Sequence, residues 1–131
     1  MPKLTSAEQE EFLRTPGILM RIACLRNDGS PLITPIWFIH QSNFIYFTPR
    51  EQSEWLGCLR QDPRVGLCID EQDLPYRKLI VEGAAELVHD LGEDDEWRDL
   101  YQQMAGRYVP EDAAEAYVQN TIDQARALWR V

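Results

Sequence analysis

The sequence has few basic residues: 13 Lys and Arg stand against 22 Asp and Glu, so the net charge is −9. Charge-driven binding to DNA, RNA or an anionic membrane needs clustered Lys and Arg. The composition therefore argues against both partners. No apolar run approaches the ~20 residues of a membrane-spanning helix, and no basic start followed by an apolar run marks a signal peptide. We expect a cytoplasmic protein.

Metal-binding and catalytic motifs are also lacking. The three cysteines, Cys24, Cys58 and Cys68, form no CxxC pair, and their odd number favours buried, reduced thiols. Only His40 and His89 are available to join them, so we expect no metal site. No Ser/His/Asp set, Cys/His set, P-loop or GxGxxG occurs. We assign no catalytic residue, and any chemistry would be that of a cofactor.

The composition predicts one compact domain over residues 1–131, because 44% of the residues are hydrophobic. Alternating apolar residues and turn signals such as Asn27–Asp28–Gly29 predict antiparallel strands. Pro35 cannot donate to a strand ladder, which places it at a bulge or an edge. Six strands are predicted: Ile18–Arg26, Leu32–His40, Phe44–Thr48, Arg64–Asp70, Lys78–Val88 and Ala125–Val131.

Helices are predicted around these strands. A capping box, either at Thr5 and Glu8 or at Ser6 and Gln9, opens the first helix, and the second runs from about Ser53 to Gln61. A third carries the apolar stripe that begins at Trp97, and a fourth starts at Pro110. The fold class is thus mainly β with added helices, on the scale of a closed or partly open six-stranded antiparallel barrel.

The third predicted strand leads directly into the helix that starts near Ser53. Free backbone N–H groups converge at a helix N-terminus, which makes such a junction a ready anion site. A phosphate-bearing ligand is the natural occupant of this junction.

Four segments in order carry a resemblance to a known family: LRNDGSPLITPIWFIH, FIYFTP, LRQDPRVGLCID and LIVEGAAELV. Together they resemble the pyridoxamine 5′-phosphate oxidase-like, flavin-binding split-barrel proteins. The resemblance implies a six-stranded antiparallel split β-barrel that forms a homodimer, with two cofactor sites at the interface. Members hold FMN or the deazaflavin F420, and some bind haem or no cofactor.

The resemblance also implies a set of cofactor-binding residues. Those that would flank the ring are Thr34, Pro35, Ile36 and Trp37. Those that would approach the phosphate are Thr48, Arg50, Gln52 and Ser53, with Trp55 in the place of a phosphate-binding lysine.

This chain departs from the family pattern beside the expected phosphate. Flavin-binding members typically show a basic step such as Ser-Arg-Lys where this chain has Ser53–Glu54–Trp55, and Thr34 replaces a basic residue of the true oxidases. Each charge-assisted hydrogen bond contributes ~1.5–3 kcal/mol. FMN should therefore bind more weakly, Glu54 could repel it, and oxidation of pyridoxamine phosphate is not expected.

Several residues have two interpretations from sequence. Trp37 either stacks on a ligand ring or fills the barrel or the dimer interface. Trp55 either suits an apolar ligand or caps its helix against the barrel. Arg50 is either the surviving anion ligand or a solvated loop residue.

Two functions follow from these alternatives. The first is a flavin-type redox protein that binds FMN or F420 and passes a hydride to or from a small organic substrate. The second is a split barrel that has lost its flavin and serves as a small-ligand-binding or interaction module. The sequence does not name the substrate.

Overall fold

The computed structural model describes residues 3–131. This part of the chain contains eight strands, four α-helices and a 3-10 turn at Asp94–Glu96. The strands are β1 (Met20–Leu25), β2 (Pro31–Ile36), β3 (Ile39–Gln41), β4 (Phe44–Phe47), β5 (Arg64–Asp70), β6 (Lys78–Ala84), β7 (Glu86–His89) and β8 (Leu128–Arg130). The helices are α1 (Ser6–Leu13), α2 (Glu54–Gln61), α3 (Arg98–Ala105) and α4 (Glu111–Asn120).

The strands form two antiparallel four-stranded sheets rather than one six-stranded barrel. The first sheet has the order β2-β1-β5-β6, and the second has the order β3-β4-β8-β7. The expected count of six strands was wrong because two of the predicted strands each divide between the sheets. Leu32–His40 becomes β2 and β3, and Lys78–Val88 becomes β6 and β7.

The backbone leaves one sheet and enters the other at Phe38 and at Ala85, both of which are buried. At Phe38 the N–H donates to the Tyr108 hydroxyl at 3.1 Å. At Ala85 the N–H donates to the Pro63 carbonyl at 2.7 Å. These bonds satisfy groups that the ladders no longer pair. Sequence could not show the bends, because the apolar pattern continues through them.

The main core fills the space between the sheets and beneath α1 and α2. Its most completely buried side chains include Phe12, Met20, Phe38 and Phe47. A second cluster covers the other side of β8, where α3 and α4 pack. Its buried members are Trp97, Tyr101, Ala105, Ala114, Val118 and Leu128. The added helices thus cover the second sheet.

The outer face of the first sheet is not covered in the single chain. Ile33 on β2 is 66% exposed and Ile80 on β6 is 58% exposed. β2 pairs only with β1, so Pro35 lies on an edge strand as expected. A β-carbon at Gly83 would lie 3.2 Å from Val131 Cγ1, so the glycine leaves room for the Val131 side chain.

Two helices begin where the local signals predict, and a third begins one residue later. Thr5 and Glu8 form both bonds of the capping box, and Ser53 is the N-cap of α2. Pro110 is the N-cap of α4 rather than its first residue. Within residues 3–131, none of the helices has the length and apolar character needed to cross a bilayer.

The end of α2 generates a prediction about acid stability. The Asp62 carboxylate accepts hydrogen bonds from the Arg64 side chain, Nη2 to Oδ2 at 2.6 Å, and from the Arg64 backbone N–H. These bonds lower the pKa of the Asp62 carboxyl to about 2. A lowered pKa stabilises the fold above the unfolded value of about 4. That contribution is lost as the pH falls through about 2.

We therefore expect Asp62→Asn to lower the thermal midpoint at pH 6 and to have little effect near pH 2. Thermal melts of both proteins across this range measure the difference. Asp73→Asn, in an exposed loop, is the matched control and should show no such dependence. A constant difference at all pH values would contradict the prediction.

Candidate functional site

A cavity of about 350 Å³ opens where the end of β2 meets the start of α2 and the two added helices. Seven residues predicted from the family resemblance line it: Pro35, Ile36, Trp37, Thr48, Arg50, Ser53 and Trp55. They lie at the end of β2, in the segment that follows β4 and at the start of α2. Three lining residues were not predicted: Tyr101, Tyr117 and Arg126.

Two predicted residues do not line this cavity. Thr34 pairs with Ile22 across β1 and β2, and Ile22 is buried in the core. Residues opposite each other in a ladder share a face, so Thr34 is directed to the interior face of the sheet. Gln52 lies at an adjacent cavity that it shares with Arg50 and Asp123.

The polar end of the cavity is formed where β4 leads into α2. Thr48 precedes the turn, and Ser53 occupies the N-cap position of α2. The Ser53 side chain makes no capping hydrogen bond. The exposed Arg50 side chain points its Nη2 toward the Tyr117 hydroxyl at 3.4 Å. Hydroxyl, guanidinium and helix N-terminal groups are all donors that suit an anion.

Glu54 does not contribute to the cavity wall, although sequence predicted that it could repel a phosphate. Its Oε1 accepts a hydrogen bond from Arg26 Nε at 2.7 Å, and this pair lies beside the first hairpin. Glu54 is at the first position of α2 and its neighbour Trp55 at the second. Because successive helical residues point about 100° apart, only Trp55 turns toward the cavity.

Trp55 packs against the core and also faces the cavity. Its ring lies 5.9 Å from the Phe47 ring, centroid to centroid, and it packs against the main core. It also lines the cavity. The indole thus holds α2 against the core and forms part of the cavity wall.

Trp37 likewise packs and lines the cavity. Its ring stacks on Tyr108, with centroids 5.0 Å apart and planes 5° from parallel. It also contacts Tyr117 at a centroid distance of 5.2 Å. Tyr108 in turn donates its hydroxyl hydrogen to the Ile18 carbonyl at 2.8 Å. Packing on this anchored tyrosine fixes the orientation of Trp37.

Arg126 is the residue that sequence reasoning missed most clearly. It is only 4% exposed. Its Nη1 donates to the carbonyls of Thr121 and Gln124 at 3.3 and 3.1 Å, and its guanidinium lies 4.5 Å from the Tyr101 ring centroid. Its Nη2 is buried without a hydrogen-bond partner.

Burial also alters the ionisation of this part of the wall. It lowers the pKa of Arg126, and the positive charge of Arg50 contributes in the same direction. Burial raises the pKa of Tyr101 to about 12. At neutral pH the wall therefore presents a neutral phenol beside a charged guanidinium. The available signal in sequence was an arginine between Ala125 and Ala127 in a predicted terminal strand whose only other polar residue is Arg130.

One group of three candidate metal ligands occurs among residues 3–131, and it involves no cysteine. His89 Nδ1 lies 3.0 Å from Glu93 Oε1 and 3.1 Å from Glu96 Oε2. These side chains lie outside the cavity wall. Cys24 and Cys58 are buried, and burial raises the pKa of the Cys24 thiol to about 12. Cys24 is thus an unreactive core thiol.

Comparison with known proteins identifies the family. The family model described as pyridoxamine 5′-phosphate oxidase matches residues 5–131. The chain therefore belongs to the pyridoxamine 5′-phosphate oxidase-like family, as its four sequence segments predicted. Comparison with curated proteins gives no match.

Solved structures share the fold at low sequence identity. The conserved hypothetical protein Rv2991 from Mycobacterium tuberculosis has 22% identity and a TM-score of 0.77, over 98% of this chain and 80% of that one. A protein described as an F420 reductase has 23% identity and a TM-score of 0.66, over 99% and 94%. The heme storage protein HutZ from Vibrio cholerae has 17% identity and a TM-score of 0.70, over 95% and 87%.

The Tyr108 hydroxyl generates a prediction about the bend beside the cavity. Tyr108→Phe keeps the ring stacked on Trp37 but leaves the Phe38 N–H and the Ile18 carbonyl without their partner. Unsatisfied buried groups cost about 1–3 kcal/mol. We expect this loss in the free energy of urea unfolding. Tyr76→Phe, on a half-exposed ring, should be neutral. Equal stability of the two variants would show that the bend does not depend on this hydroxyl.

Proposed function

We propose that the protein is a flavin-type oxidoreductase that binds FMN or F420 in the cavity and passes a hydride to or from a small organic substrate. One observation carries the proposal: Thr48, Arg50, Ser53 and the α2 N-terminus share a single cavity with the rings of Trp37 and Trp55. Phosphate-binding groups at one end and apolar surface at the other match a phosphorylated, ring-bearing cofactor.

The residues present fit such a cofactor. Thr48 and Ser53 offer hydroxyl donors, Arg50 offers a guanidinium, and the helix dipole adds ~0.3–1 kcal/mol at an exposed site. Pro35, Ile36 and Trp37 would line the ring. Bound flavin would supply the hydride chemistry. The chain's own contribution would be to orient the ring, hold the phosphate and exclude water.

The wall composition favours a flavin over haem, which some family members bind. Haem iron is usually held by His, Cys or Met, and less often by Tyr. The ten lining residues include no His, Cys or Met. Of the two tyrosines, Tyr101 has its pKa raised to about 12 by burial, and the Tyr117 hydroxyl accepts from Arg50 Nη2. The flavin-free alternative rested on the loss of basic residues at Glu54 and Trp55. Since Glu54 pairs with Arg26 away from the cavity, its charge is a weaker objection than the sequence indicated.

Titration of the purified protein tests the proposal. We expect FMN or F420 to quench tryptophan fluorescence because Trp37 and Trp55 line the cavity, and we expect the bound cofactor to be reduced and reoxidised. Haem is the comparison ligand. A protein with no measurable affinity for FMN or F420 would overturn the proposal and favour the flavin-free interpretation.

We further propose that a second copy of the chain covers the outer face of the first sheet and completes the site. Ile33 and Ile80 leave apolar surface exposed there, which is typical of an interface. Pro35 lies on the same edge strand and also lines the cavity. A dimer formed through this face would therefore place the partner beside the ligand.

A charge on this face should break the dimer. We expect Ile80→Glu to shift the protein from dimer to monomer in sedimentation equilibrium and to weaken cofactor binding, because a buried carboxylate without a partner is costly. Leu74→Glu is the matched control, since Leu74 is 78% exposed in the loop before β6. A wild-type protein that is monomeric at all concentrations would contradict the proposed interface.

A further inference from the structure

Arg126 carries a buried charge that no carboxylate side chain of residues 3–131 balances. Within the described chain, it is the only charged side chain that is buried. Ion pairs to carboxylates neutralise seven other arginines: Arg21, Arg26, Arg60, Arg64, Arg77, Arg98 and Arg130. Arg126 has no such pair although the chain has 22 acidic residues. Its nearest acidic contact, Asp94 Oδ2, accepts from the Arg126 backbone N–H at 3.1 Å.

A buried charge without a counterion is unfavourable, and an arginine side chain keeps its charge even when it is buried. The bonds to the Thr121 and Gln124 carbonyls and the contact with the Tyr101 ring compensate part of this cost. They leave Nη2 without a partner. The charge is thus incompletely satisfied in the chain alone, beside a cavity that a ligand can enter.

Arg50 adds a second positive charge beside Arg126. Arg50 and Arg126 are direct partners in an antiparallel bridge, so their side chains leave the backbone on the same side. Like charges placed directly opposite each other are destabilising. Both side chains line the cavity, and no lining residue is acidic. A negatively charged group between the two guanidiniums would remove the repulsion and occupy the free donor.

We propose that Arg50 and Arg126 form an anion-binding subsite for a phosphate monoester, with Arg126 in the role of the basic residues missing at Glu54 and Trp55. The identity of the ester as the cofactor's own phosphate rests on the proposed function. The subsite itself rests only on the arrangement of the two arginines. Guanidinium groups suit this ligand because they offer paired donors to phosphate oxygens.

The alternative is that Arg126 only ties the Thr121–Gln124 turn to Tyr101. Arg107 provides a matched control for that role. It also donates to two carbonyls, those of Leu13 and Thr15, and stacks on a ring, that of Phe38 at 4.6 Å. It does not line the cavity. Arg107→Met should therefore lower stability without changing anion binding.

Two measurements test the subsite in the full-length protein. The first is the rise in thermal midpoint caused by inorganic phosphate, compared with chloride at equal ionic strength. The second is the ratio of FMN to riboflavin affinity, followed by tryptophan fluorescence, because these ligands differ only in the phosphate. Both are measured for wild type, Arg126→Met, Arg50→Met and Arg107→Met, with Arg126→Lys as a variant that keeps the charge.

We expect phosphate to stabilise the wild type and Arg107→Met but not Arg126→Met, and Arg50→Met to respond weakly. The preference for FMN over riboflavin should fall about ten- to a hundredfold in Arg126→Met, the value of one charge-assisted hydrogen bond. Riboflavin affinity should not change. If Arg126→Met does not fold, a weakened phosphate response and a reduced preference for FMN in Arg50→Met support the subsite, and Arg126→Lys, which keeps the charge, should retain part of both.

The outcomes separate the subsite from the proposed function. A phosphate response that depends on Arg126, in a protein that binds neither FMN nor F420, supports the subsite and overturns the flavin function. FMN binding and a phosphate response that are unchanged in the Arg126 and Arg50 variants overturn the subsite and leave the flavin function standing. A wild-type protein that phosphate does not stabilise also overturns the subsite.

Discussion

The Tyr108 hydroxyl holds together the part of the fold on which the cavity depends. It bonds the backbone of Phe38, where the chain passes from the first sheet to the second, and the Ile18 carbonyl before β1. Without satisfied backbone groups, a buried bend of this kind would be costly. The residue before the bend is Trp37, whose ring stacks on Tyr108. A single side chain therefore stabilises the sheet crossing and sets the cavity wall.

Charge is distributed unevenly in this acidic protein. Glu54 pairs with Arg26, Asp62 with Arg64 and Glu86 with Arg130, while the cavity wall contains Arg50 and Arg126 and no acid. The negative charge of the chain repels anions in general, whereas the cavity attracts them locally. This contrast favours a bound anion at the cavity over non-specific binding elsewhere on the surface.

Membership of the family defines the architecture but leaves the ligand to the details of the site. The family pattern directed attention to the turn between β4 and α2, where Glu54 and Trp55 stand in the place of basic residues. In space, that turn lies against the start of the last strand, and Arg126 enters the same cavity from there. In the proposed subsite, a basic residue from a distant segment thus takes the place of those absent from the turn.

Features that depend on residues close in sequence could be predicted from sequence. The capping box at Thr5 and the hairpin at Asn27–Asp28–Gly29 depend on local hydrogen bonds and backbone conformation. The anion site between the third predicted strand and the helix at Ser53 also follows from local sequence. The grouping of Trp37 with Thr48 and Ser53 came from the family resemblance, which supplied their expected role as well.

Features that depend on distant residues were decided only by the tertiary structure. The bends at Phe38 and Ala85 are stabilised by Tyr108 and Pro63, and the alternating pattern of apolar residues does not change at either bend. Arg126 looks like an ordinary strand residue until Tyr101 and Arg50 are placed around it. Burial and charge balance are properties of the packed neighbourhood, so a sequence fixes them only through contacts that its local pattern does not reveal.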